Sequence, residues 1–357
     1  MRLVQFQRWR DAETNLHASD GATHDGVQLH TGTPVAIAKV QHYVPQFLLR
    51  NFGNGKKDQV WVYDKRTVRA FASNTRNVAS ESRFYDFDYQ GETISLEPWL
   101  AQLEGNAQSV VRFILEKDSV ATLAAEQKQV LAAFLAVQLT RTRTFREEWD
   151  AFPRMLREHF QRNGDQVAPG SQAEDLIQDI PANELKEQTA RVIYKAPETY
   201  ATQFLNKDWV LAATTRKAPF LLSDNPLTRQ NTIDRPNRGN LGLALPGIEI
   251  YFPLSPTRAL AMWCPTLTET VHRGALAFMK NTATRAGPDP HGVISMSDAL
   301  LSGAPVEYSP ANVENFNSLQ VIWSERYIFS TTNDFQLAEA MLAEHPSLKN
   351  GPRSTAA

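Results

Sequence analysis

Residues 39–53 read KVQHYVPQFLLRNFG, and the folded body is expected to begin at this stretch, at Lys39. Pro45 suits the first turn of a helix, where its missing N–H costs nothing. Leu48, Leu49 and Phe52 then share one side, and Gly53, followed by Asn54 and Gly55, ends the run. Large side chains nearly all round predict a buried helix, so two residues stand out. Arg50, on one face with Gln46, needs an anion: a structural carboxylate such as Glu97 or Glu104, or a ligand. His42 lies near the positive end of the helix, where a cation is disfavoured. A neutral imidazole there fits a general base as well as a hydrogen-bonded core residue.

Working outward, residues 14–38 are rich in Gly, Thr, His and Asp and lack periodicity, so 1–38 reads as a flexible leader. His17, His24 and His30 within it have no compact metal spacing. The remainder reads as one α+β domain over 39–348, with a sub-boundary near 163–172 and a loose tail at 349–357. VWVYDK and VRAFAS read as a hairpin, as do RFYDFDY and ETISL. A helix is expected from about Glu97 to Lys117, capped by Ser95, and a longer one from about Ala124 to Asn163. More helix follows between 171 and 207. KDWVLAATTRKAPFLLSDNP and GIEIYFPLSPTRALAMWC read as two further hairpins. Helices over 267–280 and 310–324, a strand RYIFS and a helix over 333–344 complete the chain. Strands in two zones with helices between and after them indicate α+β: a mostly helical body with two groups of antiparallel hairpins.

The chain has 357 residues, 42 % hydrophobic and 21 % charged, with a net charge of −2. That balance fits a globular protein and gives no overall pull on nucleic acid or anionic lipid, so any anion site must be local. No apolar run approaches the roughly 20 residues that span a bilayer, and the N-terminal stretch lacks the pattern of a secretory signal. One cysteine, Cys264 at the end of an apolar strand, excludes an internal disulfide and suits a reducing cytoplasm.

Two further segments carry polar groups where apolar ones are expected. In the long helix, Gln138, Arg141 and Thr142 lie on the stripe of Leu131, Phe134 and Leu135. Either the stripe rotates to the surface there, or these groups face partners or a wet cavity. In FLLSDNPLTRQN, an apolar strand runs into Ser223-Asp224-Asn225-Pro226. Asp and Asn before proline form an Asx turn readily; the sharper reading is a carboxylate and an amide displayed at a strand end. Gly-rich phosphate loops, paired-histidine metal motifs and nucleophile elbows are absent.

HYVPQFLLRNF, VWVYDK, QLTRTR, LLSDNP, IYFPLSP and a late helix bearing an asparagine, taken in this order, resemble the domain-of-unknown-function 4238 family of microbial proteins. The resemblance spans roughly residues 40 to 332. It implies that His42, Arg50, Gln138, Arg141, Asp224, Asn225 and Asn317 stand at marker positions, and it brings no activity or cofactor with it.

The leading expectation is a hydrolase, with a nuclease as its extreme form, acting on an anionic, phosphodiester-like substrate. Its pocket would lie between the HYVP helix and the long helix, closed by the SDNP turn. His42 would serve as general base or acid with Asp224 orienting it or activating water. Arg50 and Arg141 would hold the anion, with Gln138, Asn225 and Asn317 fixing orientation. The alternative is a non-catalytic ligand-binding or effector module in which the same residues form a buried structural network. Partners would be a small anionic ligand or nucleic acid, without a membrane. Cofactor and oligomeric state stay open.

Overall fold

A computed structural model describes residues 39–233, 239–280 and 292–353. The expected leader, with His17, His24 and His30, and the last four residues lie outside them.

The chain opens with β1 (Val40–His42), the short helix α1 (Gln46–Asn51), then β2 (Gln59–Asp64) and β3 (Arg69–Asn74). Strands β4 (Ser80–Ser82), β5 (Asp86–Tyr89) and β6 (Glu92–Ser95) follow. Five helices come next: α2 (Glu97–Lys117), α3 (Ala125–Thr140), α4 (Arg143–Asn163), α5 (Gln172–Leu176) and α6 (Ala182–Leu205). Then come β7 (Asp208–Ala213), β8 (Leu222–Ser223), β9 (Thr228–Asn231), β10 (Ile248–Ser255) and β11 (Arg258–Trp263). Helices α7 (Pro265–Lys280) and α8 (Val293–Ser302), strand β12 (Val306–Glu307), α9 (Pro310–Trp323), β13 (Tyr327–Ser330) and α10 (Gln336–Glu344) complete the order.

The fold is α+β. A five-stranded sheet runs in the order β12-β7-β11-β10-β9, and a four-stranded sheet in the order β3-β2-β13-β8; β1 pairs β4, and β5 pairs β6. Every pairing is antiparallel except β12 on β7.

The five-stranded sheet is buried on both faces, and its alternation shows how. Ile250, Phe252, Leu254, Leu260, Met262 and Leu211 join the main core, with Leu131, Phe134 and Leu135 of α3 and Leu48, Leu49 and Phe52 around α1. Their neighbours Tyr251, Ala261, Trp263 and Val210 point the other way, into a second cluster with Phe220, Val313 and Phe316. Successive side chains of a strand leave on opposite faces, so a sheet covered twice reads as a nearly continuous apolar run. The third cluster joins the four-stranded sheet to the closing helix through Tyr63, Leu221, Val321, Ile328 and Phe335.

Three expectations need correction. The long helix is two: α3 ends at Thr140, and Thr142 caps α4 by accepting a hydrogen bond from the Phe145 N–H. A hydroxyl that satisfies an orphan amide of a new helix ends the old one. KDWVLAATTRKAPFLLSDNP is no hairpin, because β7 and β8 belong to different sheets. Arg50 is half exposed, with its anionic partner Asp58 at 3.2 Å, so it never enters the interior.

Candidate functional site

Two polar assemblies hold the marker residues. The first is built around β1 and the α3–α4 junction. Arg141 is 1 % exposed. Its Nη2 donates to the His42 carbonyl oxygen at 2.5 Å, its Nε to Tyr85 Oη at 3.1 Å, and its Nη1 lies 2.7 Å from Glu104 Oε1. Tyr85 Oη stands 3.2 Å from the carbonyl oxygens of both His42 and Arg141. Gln138 is fully buried and donates to the Tyr43 carbonyl at 3.0 Å. The guanidinium and the amide therefore fasten the HYVP backbone to the helix junction. A buried arginine so paired is strongly held, because removing one member leaves a charge stranded.

His42 turns its ring elsewhere. Gln46 Nε2 lies 3.4 and 3.3 Å from its two ring nitrogens, and Gln46 Oε1 accepts from Arg50 at 2.7 Å. Burial holds the imidazole below its ordinary pKa; the Arg141 and Arg50 charges push the same way, against hydrogen bonding to the backbone of Thr75 and Arg76. The ring is thus biased towards neutrality at physiological pH.

The second assembly is the SDNP corner. Asp224 is fully buried. Its Oδ1 accepts from the Glu325 N–H at 2.7 Å and its Oδ2 from the Arg326 and Tyr327 N–H groups, each at 2.8 Å. Burial pushes its carboxyl up to about 6, against the pull of those amides and of Lys65. Lys65 Nζ donates to the carbonyls of Val321 and Ser324, and burial lowers it to about 8. Helix α9 clamps the corner from the other side. Asn225 donates to the Trp323 carbonyl, Ser223 to Gln320, and Gln320 to the Pro226 carbonyl. Asn317 accepts from the Leu221 N–H and donates to the Pro219 carbonyl. Glu325, also buried, takes Arg66 and Arg353.

The structure brings His42, Gln138 and Arg141 to one joint, and Asp224, Asn225 and Asn317 to one corner. The hydrogen-bond partners of the His42 ring and of the Asp224 carboxylate have no residue in common. Tyr43, whose carbonyl belongs to the joint, feels the charge of Asp224 at its phenol. It is 2 % exposed, and burial raises its hydroxyl well above its ordinary pKa. Asp224 and Glu81 add to that rise, and Arg143 opposes it.

A cavity of about 300 Å³ opens elsewhere, between the second face of the five-stranded sheet and helices α7, α8 and α9. Tyr251, Trp263 and Phe316 are buried in its wall, and Thr270, Asn312 and Asn315 are exposed at its rim. Tyr251 donates a short hydrogen bond to Glu249, which Gln230 Nε2 also approaches at 3.2 Å. Among the described residues no group of three His, Cys, Asp or Glu side chains gathers to hold a metal ion, and no helix is long and apolar enough to cross a membrane.

Sequence reasoning passed over Lys65, Tyr43, Tyr85, Gln320, Glu325 and the cavity. One signal was present: GIEIYFP alternates, which sets Glu249 and Tyr251 on one face of a strand otherwise apolar. No curated protein and no solved structure matches the chain. The ordered blocks have their counterpart in a family model: residues 40–334 match that of a protein family of unknown function, DUF4238, and the chain belongs to that family.

Proposed function

We propose that the protein is a non-catalytic ligand-binding or effector module, in which the marker residues form the frame and the cavity beside α9 receives the ligand. The bonding of Asp224 carries this reading: three backbone amides occupy its two oxygens, leaving it poorly placed to activate water. Arg141 is bound in the same way by a carbonyl, a phenol and a carboxylate of the chain itself. The buried Cys264 suits a reducing compartment, and the reading takes the cytoplasm as the site of action. Thermal-shift screening of small molecules, run beside a phosphodiester hydrolysis assay, tests it. Stabilisation by a ligand without turnover is expected; turnover lost in His42→Ala, at unchanged melting temperature, would sink the reading.

That opposite outcome belongs to the second reading, a hydrolase on an anionic, phosphodiester-like substrate. One observation favours it: the buried Tyr43 hydroxyl lies in the field of Asp224, Glu81 and Arg143. His42 and Asp224 would then be its catalytic pair. Arg50, Gln138, Arg141, Asn225 and Asn317 would serve binding of a small anion or of nucleic acid.

A further inference from the structure

The cavity beside α9 has a chemistry of its own, set by strand register. Gln230 of β9 pairs with Glu249 of β10, and Glu249 pairs with Trp263 of β11. The three side chains therefore form a row across the sheet, with Tyr251 two residues along on the same face as Glu249. Helix α9 closes the space with Phe316, whose ring lies 5.6 Å from that of Tyr251 at 75°. Tyr308, on the link between β12 and α9, completes the aromatic wall.

The electrostatics are one-sided. Among the described residues of the lining Glu249 is the only charged one, and no described Lys, Arg or His joins it. Among the described residues its carboxylate has no cationic partner. It accepts only from Tyr251 and Gln230, and Gln230 is held in turn by Asn315 at 3.2 Å. A half-buried carboxylate set beside aromatic rings attracts a cation. The negative faces of the rings add to the pull and favour a cation with a weak hydration shell. An inorganic ion is poorly served here, since one carboxylate and neutral amides cannot replace a full hydration shell. The volume lies at the lower end of small-molecule sites, of order 300–1,000 Å³.

We propose that this cavity binds a small organic ammonium ion, its charged head against Glu249 and the rings of Tyr251, Trp263, Tyr308 and Phe316. The inference rests on the ligand-binding reading above and adds the ligand class. A second feature bears on the site. The Trp263 N–H is buried and approaches the Tyr251 hydroxyl without a well-formed hydrogen bond, so one donor in the wall is still available to an acceptor on the ligand.

The test is calorimetric titration of the full chain with three probes of one shape: choline, the neutral 3,3-dimethylbutan-1-ol and the anionic 3,3-dimethylbutanoate. Choline should bind at least about tenfold more tightly than the alcohol, with the carboxylate weakest. Glu249→Gln should cut choline affinity by about tenfold or more and leave the alcohol unchanged. The comparison of probes on the unmodified protein stands even if that variant folds poorly. Equal binding of choline and the alcohol, or preference for the carboxylate, overturns the ammonium inference and leaves a ligand-binding cavity. Failure of all three to bind overturns the inference, and if the wider thermal-shift screen is also empty, the ligand-binding reading falls with it.

Discussion

Arg141 meets His42 through the backbone: the guanidinium Nη2 lies 2.5 Å from the His42 carbonyl oxygen, while the imidazole turns to Gln46. Two marker residues, 99 positions apart, thus form a structural joint whose polar groups fix the path of the chain at Pro45.

Arg141→Ala should destabilise the protein by about 3–5 kcal/mol, since the change strands Glu104 and the His42 carbonyl together. Arg141→Lys should recover only part of this, because an ammonium cannot serve carbonyl, phenol and carboxylate in one plane. Urea titration followed by far-ultraviolet circular dichroism measures both. A loss under 1 kcal/mol for the alanine variant would show the joint to be dispensable.

Asp224→Ala should cost about 3 kcal/mol or more, as three N–H groups at residues 325–327, one buried and two partly so, lose their acceptor. Lys65→Met should be damaging too, leaving the Val321 and Ser324 carbonyls without their donor. The two losses should be non-additive in a double-mutant cycle, given the attraction between the two groups. Additive losses would place them in independent structures.

Glu97 supplies a pH signature. Burial raises its carboxyl to about 7, with Glu104 and Asp86 adding to the rise and Arg141 opposing it. A carboxyl whose folded pKa exceeds its unfolded value binds more protons in the folded state between the two. Its contribution is therefore greatest below about 4.5 and is lost as pH climbs through 7. Glu97→Gln should flatten this fall, whose slope is at most about 1.4 kcal/mol per pH unit. Urea midpoints at pH 5, 6 and 7.5 for both proteins report it, and parallel profiles would refute the assignment.

Gly303 ends α8 with φ 69°, and a Cβ placed there would come 2.1 Å from Ala121 Cβ. Gly303→Ala should lower stability by about 1–3 kcal/mol through overlap and left-handed strain. Adding Ala121→Gly should relieve the overlap alone and restore part of the loss. A thermal melt of the single and double variants decides.

Much of the fold was legible because its local signals agree with its tertiary setting. The helix over 97–117 and the hairpins at 59–74 and 86–95 are examples, as is the pairing of GIEIYFPLS with RALAMW. The misreadings have separate causes. Thr142 could extend one helix or cap the next, and periodicity does not separate the two outcomes. Strand β8 joins the four-stranded sheet by pairing with β13, over 100 positions away, so nothing near Leu222 announces it. Arg50 looked buried because its flanks are apolar, yet its own spoke of the helix faces Asp58 and solvent. The candidate site was legible in composition only. Asp224 and Arg141 were visible as polar groups in apolar company; their partners, being mostly backbone atoms, carry no residue identity to read.

Helix α9 lines the cavity with Asn315 and Phe316 and, on the adjoining spokes, holds the segment leading into the Ser-Asp-Asn-Pro turn with Asn317 and the turn itself with Gln320. A single rigid rod is thus a shared wall of two rooms, and whatever shifts it in one is registered in the other. By the reciprocity of linked equilibria, an occupant that steadies the rod would tighten the turn by the same free energy that tightening the turn lends the occupant. Substitutions at Asn317 or Gln320 are for that reason unsuitable as silent controls in titrations.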